Sequence, residues 1–428
     1  MIAVTFNSTK INFILINRKR LTVIGGGAAG FFCAVNAATM NAALEVIIIE
    51  KTGKLLSKVK VSGGGRCNVT HSCFSIAEMV KKYPRGGSFL KKAFHHFFTT
   101  DTINWFKERG VELKTEPDGR MFPVTNSSQT IINCLMKEVN TRHVEILMHK
   151  EIRSLERVND KWQLSFANDS FLLADYVCIA CGGYPKSAQF EWIQKTGHTI
   201  EAPVPSLFTF NMPGNSVTAL MGISVEHAIV KIAGAKLAAE GPLLITHWGM
   251  SGPVILKLSA WGARQLAIDN WQFSIIVNWV PDFNEQSLAE KFQQVRFAVA
   301  AQKIGNRNPF ALPTRLWQYL LQQSGINEDM RWADLPAKQQ NKLIKNLCTQ
   351  EFEVKGKTTF KEEFVTAGGI ALQEVDHTTM QSKIVPGLFF AGEVLNIDGI
   401  TGGFNFQSAW TTGFLAAKAI ATERAINS

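Results

Sequence analysis

The sequence predicts an α/β protein in which one parallel-sheet domain is interrupted by an insert and completed by the end of the chain. Three observations predict it. Residues 21–50 run strand, glycine turn, helix, strand, acid. The continuous apolar run Tyr176–Ala180 ends in Cys181-Gly182-Gly183, as a buried parallel strand before a tight turn would. The same texture returns at Gly387–Glu393, after a long stretch of different character.

The first unit is the most specific. Leu21-Thr22-Val23-Ile24 is the strand, and Gly25 to Gly30 fits G-x-G-x-x-G at Gly25, Gly27 and Gly30. Gly25 allows the tight turn, Gly27 admits a pyrophosphate to the backbone, and Gly30 lets the helix sit close on the strand. Ala28 and Ala29 open that helix, whose free N–H groups and positive dipole end favour phosphate. Val46–Ile49 then runs into Glu50, with Lys51 beside it. An acid about twenty positions past the last glycine is placed to accept ribose hydroxyl hydrogens. Strand, spacing, helix and acid agree, so the unit is a Rossmann-like dinucleotide site.

Further along, Asp101–Arg109 reads as helix. Residues 144–152 and 161–167 read as strands with a turn at Asn159-Asp160. From 196 the texture is β-rich, with strand-like runs at Ser206–Asn211, Ser224–Ile232, Leu243–Thr246 and Phe273–Val280. Turns are expected at Pro213-Gly214 and Gly241-Pro242. Residues 284–350 read as helices, with Pro313 and Pro336 at possible starts. A glycine-rich turn, Gly399–Asn405, leads into a last helix over about 406–422. The expected organisation is 21–195 for the first part of the dinucleotide domain, 196–283 for a β-rich insert, 284–352 for a helical insert and 353–428 for the returning segment.

The bulk numbers fit such an enzyme. The chain has 428 residues, 46% hydrophobic and 19% charged, enough for two or three domains. No apolar run has the length of a membrane span. Residues 1–20 lack a signal-peptide pattern and read as an extension before the first strand. Seven scattered cysteines argue against a disulfide framework and fit a reducing cytoplasm. Net charge is +10, and residues 51–100 hold ten Lys or Arg against one acid, Glu78. That stretch fits a solvated face, an anionic ligand or a nucleic acid. No zinc-finger spacing or RNP-type aromatic motif supports the last.

Two more glycine clusters lie where strands of such a sheet should end. Ser62-Gly63-Gly64-Gly65-Arg66-Cys67-Asn68 offers backbone N–H groups, a positive charge and a small polar side chain to a planar ring. Gly392-Glu393, then Asp398–Asn405 with Gly402, Gly403, Phe404 and Asn405 at the start of the last helix, could hold an anionic ring edge. Loops at the carboxyl ends of one open sheet form a ligand crevice. Reduced flavin carries negative charge at N1 and O2, so a positive helix end there would stabilise it.

On these blocks, with Thr246–Pro253 and Val365–Ile370, the chain resembles the HI0933-like flavoproteins, also described as the YhiN-like, BaiN-like or aminoacetone oxidase family. The resemblance spans about residues 21–420. It implies an FAD-binding Rossmann-like domain interrupted by an inserted β-barrel-like domain and a small helical domain. The chain departs from the family pattern at His71, Asn396, Ser408 and in the block Gly182–Ser187.

The expected FAD ligands are Gly25, Gly27, Ala28, Ala29, Gly30, Glu50, Lys51, Gly64, Gly65, Arg66, Cys67, Asn68, Gly182, Gly392, Glu393, Gly402, Gly403, Phe404 and Asn405. The strand backbone in 147–153 is expected at the adenine edge. His247 is the candidate acid–base residue, since its ordinary pKa suits neutral pH. Cys67 is the candidate reactive thiol. Cys178 and Cys181 match C-x-x-C, but on a strand they point to opposite faces and do not make a redox pair. No metal site is expected. No second dinucleotide fingerprint is present, so NAD(P)H would bind transiently, or the organic substrate would itself be the reductant.

Three functions stay open at this stage. One is an FAD-dependent oxidoreductase moving a hydride between flavin N5 and a small molecule. Another is a flavin-dependent RNA-modifying enzyme, prompted by the basic stretch. The third is a non-catalytic flavin-binding protein.

Overall fold

The computed structural model describes residues 18–358 and 365–423. Most of the expected extension therefore lies outside the described residues. The centre is a five-stranded parallel sheet ordered Leu388–Phe390, Tyr176–Ile179, Arg20–Ile24, Glu45–Ile49 and Glu145–Leu147. Its strands are almost wholly apolar because they are covered by the helices Ala28–Met40 and Phe404–Thr422 and by a three-stranded antiparallel sheet, Ile152–Val158, Lys161–Phe166 and Phe171–Ala174, whose Trp162, Leu164 and Phe166 share the same core. The strand from the end of the chain pairs directly with Tyr176–Ile179, which completes the interrupted domain.

Helix Ala28–Met40 packs along the last helix, Phe404–Thr422. Their approach is close because Gly413 has no side chain. A Cβ there would stand 2.7 Å from the Ala29 carbonyl oxygen. Phe32 fills the seam against Trp105 and Trp410, at ring distances of 4.6 and 5.1 Å. Both indoles are satisfied: Trp105 donates to Asn36 (2.9 Å) and Trp410 to the Val69 carbonyl (2.9 Å). Each buried aromatic contributes on the order of 2–3 kcal/mol of transfer free energy.

The expected strand over 144–152 stops at Leu147, and His149 has φ +57°. A second strand, Ile152–Val158, forms a hairpin with Lys161–Phe166 instead. Its turn is Asn159-Asp160, both at positive φ, the pairing that matches strand twist.

The insert is a seven-stranded antiparallel sheet. Its order is Gln350–Lys355, Gln272–Asn278, Ser224–Ile232, Ala238–Thr246, Gly249–Ser251, Thr209–Asn211 and Lys357–Thr358. No ladder joins its two edges among the described residues, so the expected barrel does not close. Helices Glu285–Ala298, Thr314–Gln323 and Ala337–Cys348 pack on it, and Phe292, Trp317 and Leu347 share one core with Phe210, Ile245 and Val277. Sheet strands reach Thr358, past both expected borders at 283 and 352. Gly241-Pro242 is not a turn. It lies inside Ala238–Thr246, with Gly241 at φ +146°, and Pro242 stands opposite a bulge at Glu226-His227 of the neighbouring strand.

The expected strand Ser206–Asn211 breaks at Leu207, which has φ +55°. Before the break, Ile200–Ser206 pairs antiparallel with Val365–Ile370. The chain thus enters and leaves the insert through one two-stranded ladder. Among the described residues no helix is long and apolar enough to cross a membrane.

Candidate active site

One elongated cavity of about 680 Å³ runs from the fingerprint turn to the insert sheet. Gly25, Gly27, Ala28, Ala29 and Glu50 line one end. A smaller adjoining cavity of about 290 Å³ is lined by Glu50, Lys51, Lys150, Glu151, Ile152 and Tyr184, among others. Three of these residues lie in the 147–153 segment expected at the adenine edge.

The three fingerprint glycines differ physically. A Cβ on Gly25 would meet the Ala180 oxygen at 2.4 Å, and one on Gly30 the Gly25 oxygen at 2.0 Å. Both are packing positions. A Cβ on Gly27 would meet no protein atom within 4 Å, because Gly27 borders open cavity. The N–H groups of Ala28, Ala29 and Gly30 begin the helix without a side-chain cap or first-turn acid. These donors face the cavity with a positive helix end, an arrangement that favours an anionic group. Glu50 is held rigidly: Oε2 accepts from Gly26 N (2.9 Å) and Oε1 from Thr52 N (2.8 Å) and Thr52 Oγ1 (2.9 Å).

The other glycine clusters meet across the cavity. Gly63, Gly64 and Gly65 all have positive φ, and Gly64 lines the cavity with no protein atom within 4 Å of a Cβ. Asn68 ties this cluster to the last helix. Its Nδ2 donates to Thr70 O (3.0 Å) and its Oδ1 accepts from Gly403 N (3.0 Å). Gly402, Gly403 and Asn405 line the cavity beside it. The Asn405 amide closes the turn, accepting from Gly399 N (2.8 Å) and donating to Gly399 O (2.9 Å). The last helix starts at Phe404 with an uncapped first turn. Two helix starts therefore face one space, which favours anions at both ends.

Gly182, Gly392 and Glu393 complete the floor. Gly392 N donates to Thr412 Oγ1 (2.9 Å). Glu393 pairs with Lys58 (2.6 Å) and accepts from Thr366 N (2.9 Å), which joins the floor to the ladder leading out of the insert.

Several expected ligands do not reach the cavity. Gly30 and Gly65 are not among its lining residues. Arg66 turns away to an ion pair with Glu116 (2.6 Å) and lies over the Phe122 ring at 4.0 Å. Phe404 is buried against His71, with ring centroids 4.8 Å apart. Cys67 is 0% exposed, and burial pushes its thiol up to about 12, so it is not a reactive thiolate. His247 sits in the two-residue turn between Ala238–Thr246 and Gly249–Ser251, exposed, its ring against Trp248, and it does not line the cavity.

The sequence reading missed the wall opposite the glycines. Arg120, Leu207, Thr209, Ser251, Leu256 and Thr358 line it. Leu207 has the left-handed conformation that non-glycine residues rarely adopt, which ends one ladder and starts the insert sheet. Apart from Ser251, which lies in the block Thr246–Pro253, these residues belong to no motif. Arg120 is brought there by its strand's pairing with Thr70-His71, and the others by the folding of the insert onto the glycine loops.

Comparison with known proteins agrees with this architecture. A model of the HI0933-like protein Rossmann domain matches residues 19–419. The chain is 25% identical over 415 residues to a 3-dehydro-bile acid delta(4,6)-reductase of Clostridium scindens, covering 94% of this chain and 99% of that protein. It is 27% identical over 414 residues to a ribosomal RNA dihydrouridine synthase of Haemophilus influenzae, covering 94% and 98%. The Escherichia coli protein of the same description is 28% identical over 407 residues, covering 92% and 96%. Among solved structures, an Escherichia coli quinol fumarate reductase FrdA chain has a TM-score of 0.50 at 14% identity, covering 94% of this chain and 70% of that one. At that identity the likeness is one of fold.

Proposed function

This chain belongs to the HI0933-like protein Rossmann-domain family, and from that premise we propose that it is an FAD-dependent oxidoreductase that saturates a carbon–carbon double bond conjugated to a carbonyl group. The observation that carries the reading is the continuity of the cavity. Its dinucleotide end at Gly27 and Glu50 and its insert wall at Thr209 and Ser251 enclose one space. FAD, when bound, supplies hydride-transfer chemistry. The open backbone at Gly27 and the start of helix Ala28–Met40 would hold its pyrophosphate, and Glu50 its ribose. The uncapped start of the last helix would stabilise negative charge on the ring edge. The insert wall would orient the substrate and exclude water.

The names of the relatives support the reaction class. A delta(4,6)-reductase of a 3-dehydro bile acid acts on double bonds conjugated with a ketone. A dihydrouridine synthase saturates the ring double bond beside a uracil carbonyl. Both alkenes are electrophilic for the same reason.

A second reading keeps this reaction and presents the ring within an RNA. It is favoured by the basic flank: Lys54 and Lys58 line the cavity, and Lys51 and Lys60 are exposed nearby. Such binding would weaken steeply with salt.

The test is anaerobic. The flavoprotein is reduced with NADPH, NADH or dithionite, and flavin reoxidation is followed on adding 4-androstene-3,17-dione, uridine or ribosomal RNA. Reoxidation by an enone or by a uracil ring supports the reaction class, and RNA-only reoxidation selects the second reading. Reduced flavin that none of them reoxidises overturns it.

A further inference from the structure

The insert sheet has one apolar face and one polar face, and the polar one borders the cavity. Phe210, Leu243, Ile245 and Met250 are buried in the insert core. The alternate residues point the other way. Leu244 pairs with Ser251, and Thr209 pairs with Thr358. Phe210 pairs with Met250, so one step along the same ladder sets Thr209 opposite Ser251. Ser251, Thr209 and Thr358 therefore form one transverse row across three strands, and all three line the cavity.

The hydroxyl protons of this row are not equivalent. Thr209 Oγ1 donates to Thr358 O (3.2 Å). Thr358 Oγ1 donates to Asn211 Oδ1 (3.1 Å). Ser251 Oγ makes no hydrogen bond among the described residues, although the residue is half-buried. A hydroxyl carries one proton and two lone pairs. Two members of the row can thus only accept from a ligand, and Ser251 alone has a proton to give. Leu207 and Leu256 line the same wall and supply apolar surface for a ring.

We propose that this row is the substrate-recognition wall of the site, with Ser251 Oγ donating a hydrogen bond to the carbonyl oxygen conjugated to the reducible double bond. The proposal rests on the alkene-reductase reading above. A donor fixed at that oxygen selects conjugated carbonyl compounds over plain alkenes. It also meets the negative charge that gathers on the oxygen as the double bond is reduced, where one positioned donor is worth about 10²-fold or more in rate.

The test uses the FAD-loaded full chain, with 4-androstene-3,17-dione and uridine as acceptors. The variants are Ser251→Ala, Ser251→Thr and Thr358→Val. Flavin content and dithionite reducibility report whether each variant has folded and loaded. The expected result is a loss of about 10²-fold in acceptor-dependent reoxidation for Ser251→Ala. Ser251→Thr, which keeps the hydroxyl, should recover most of it. Thr358→Val should weaken binding of uridine, which has N–H and O–H donors for this acceptor, more than it slows the bound reaction, and should leave 4-androstene-3,17-dione, which has no donor, unaffected. Wild-type-like reoxidation by Ser251→Ala overturns the wall and leaves the reductase reading standing. A wild-type enzyme that neither acceptor reoxidises overturns both.

Discussion

Asp398 has no exposed surface, and its carboxylate is gripped by both Nε and Nη2 of Arg85. The same carboxylate accepts from Ser206 Oγ (2.8 Å), while Arg85 also donates to Ala260 O (2.7 Å). One ion pair thus joins the segment after the second glycine cluster, the glycine turn before the last helix and the entrance to the insert. Arg85→Met would leave a buried carboxylate without its cation, at a cost of about 3–5 kcal/mol. Denaturant unfolding of the apoprotein should show that loss, and a variant as stable as the parent would refute it.

The fingerprint glycines separate folding from binding. Gly27 has φ −96°, open to any residue, and a Cβ there meets nothing in the protein. Gly27→Ala should leave apoprotein stability within about 0.5 kcal/mol, as substitutions away from packing contacts do. It should lower flavin occupancy, because the methyl would fill the open space proposed for the pyrophosphate. Gly30→Ala should do the reverse at the level of the fold, since its Cβ would lie 2.0 Å from the Gly25 oxygen. Equal melting losses for the two variants would contradict this assignment.

Glu50 holds the turn through Gly26 N and Thr52 N and also borders the cavity. Glu50→Gln keeps the shape but lacks the charge that strengthens hydrogen bonds from ribose hydroxyls. Charge-assisted bonds contribute about 1.5–3 kcal/mol, so FAD affinity should fall about 10- to 100-fold. Equilibrium dialysis of released and rebound flavin measures it. Unchanged affinity would mean that Glu50 serves the turn alone.

The legible parts of the site were those where backbone geometry dictates residue type. Gly25, Gly27 and Gly30 are forced by close approach and open space, and Glu50 by its distance from the turn. Tyr176–Ile179 and Leu388–Phe390 were legible because a strand buried on both faces needs an unbroken apolar run. The opposite wall left no such trace. Thr209, Thr358 and Leu207 are ordinary residues, brought to the cavity by strand register within the insert. Arg66 and His247 stood out in the sequence as a charged and a titratable side chain near glycine motifs; in the fold Arg66 pairs with Glu116 and His247 lies in an exposed turn. In the insert, sheet and helices share one core and sheet strands run on to Thr358, so composition changes within one packed unit.

Cys67 provides a pH test of the second glycine cluster. The residue is buried at φ +61° between Arg66 and Asn68, and burial raises its thiol from the ordinary 9.0 to about 12, against a smaller lowering effect from Ser62. The folded protein therefore holds this proton more tightly than the unfolded chain. The linked stabilisation is complete below about pH 9 and is lost as pH rises toward 12. At pH 8 iodoacetamide should modify the half-buried Cys73 and spare Cys67 until the protein is unfolded. Peptide mass spectrometry distinguishes the two sites. Alkylation of Cys67 in the native protein, at a rate like that of Cys73, would show that the glycine cluster opens to solvent and that its thiol is not sealed within the fold.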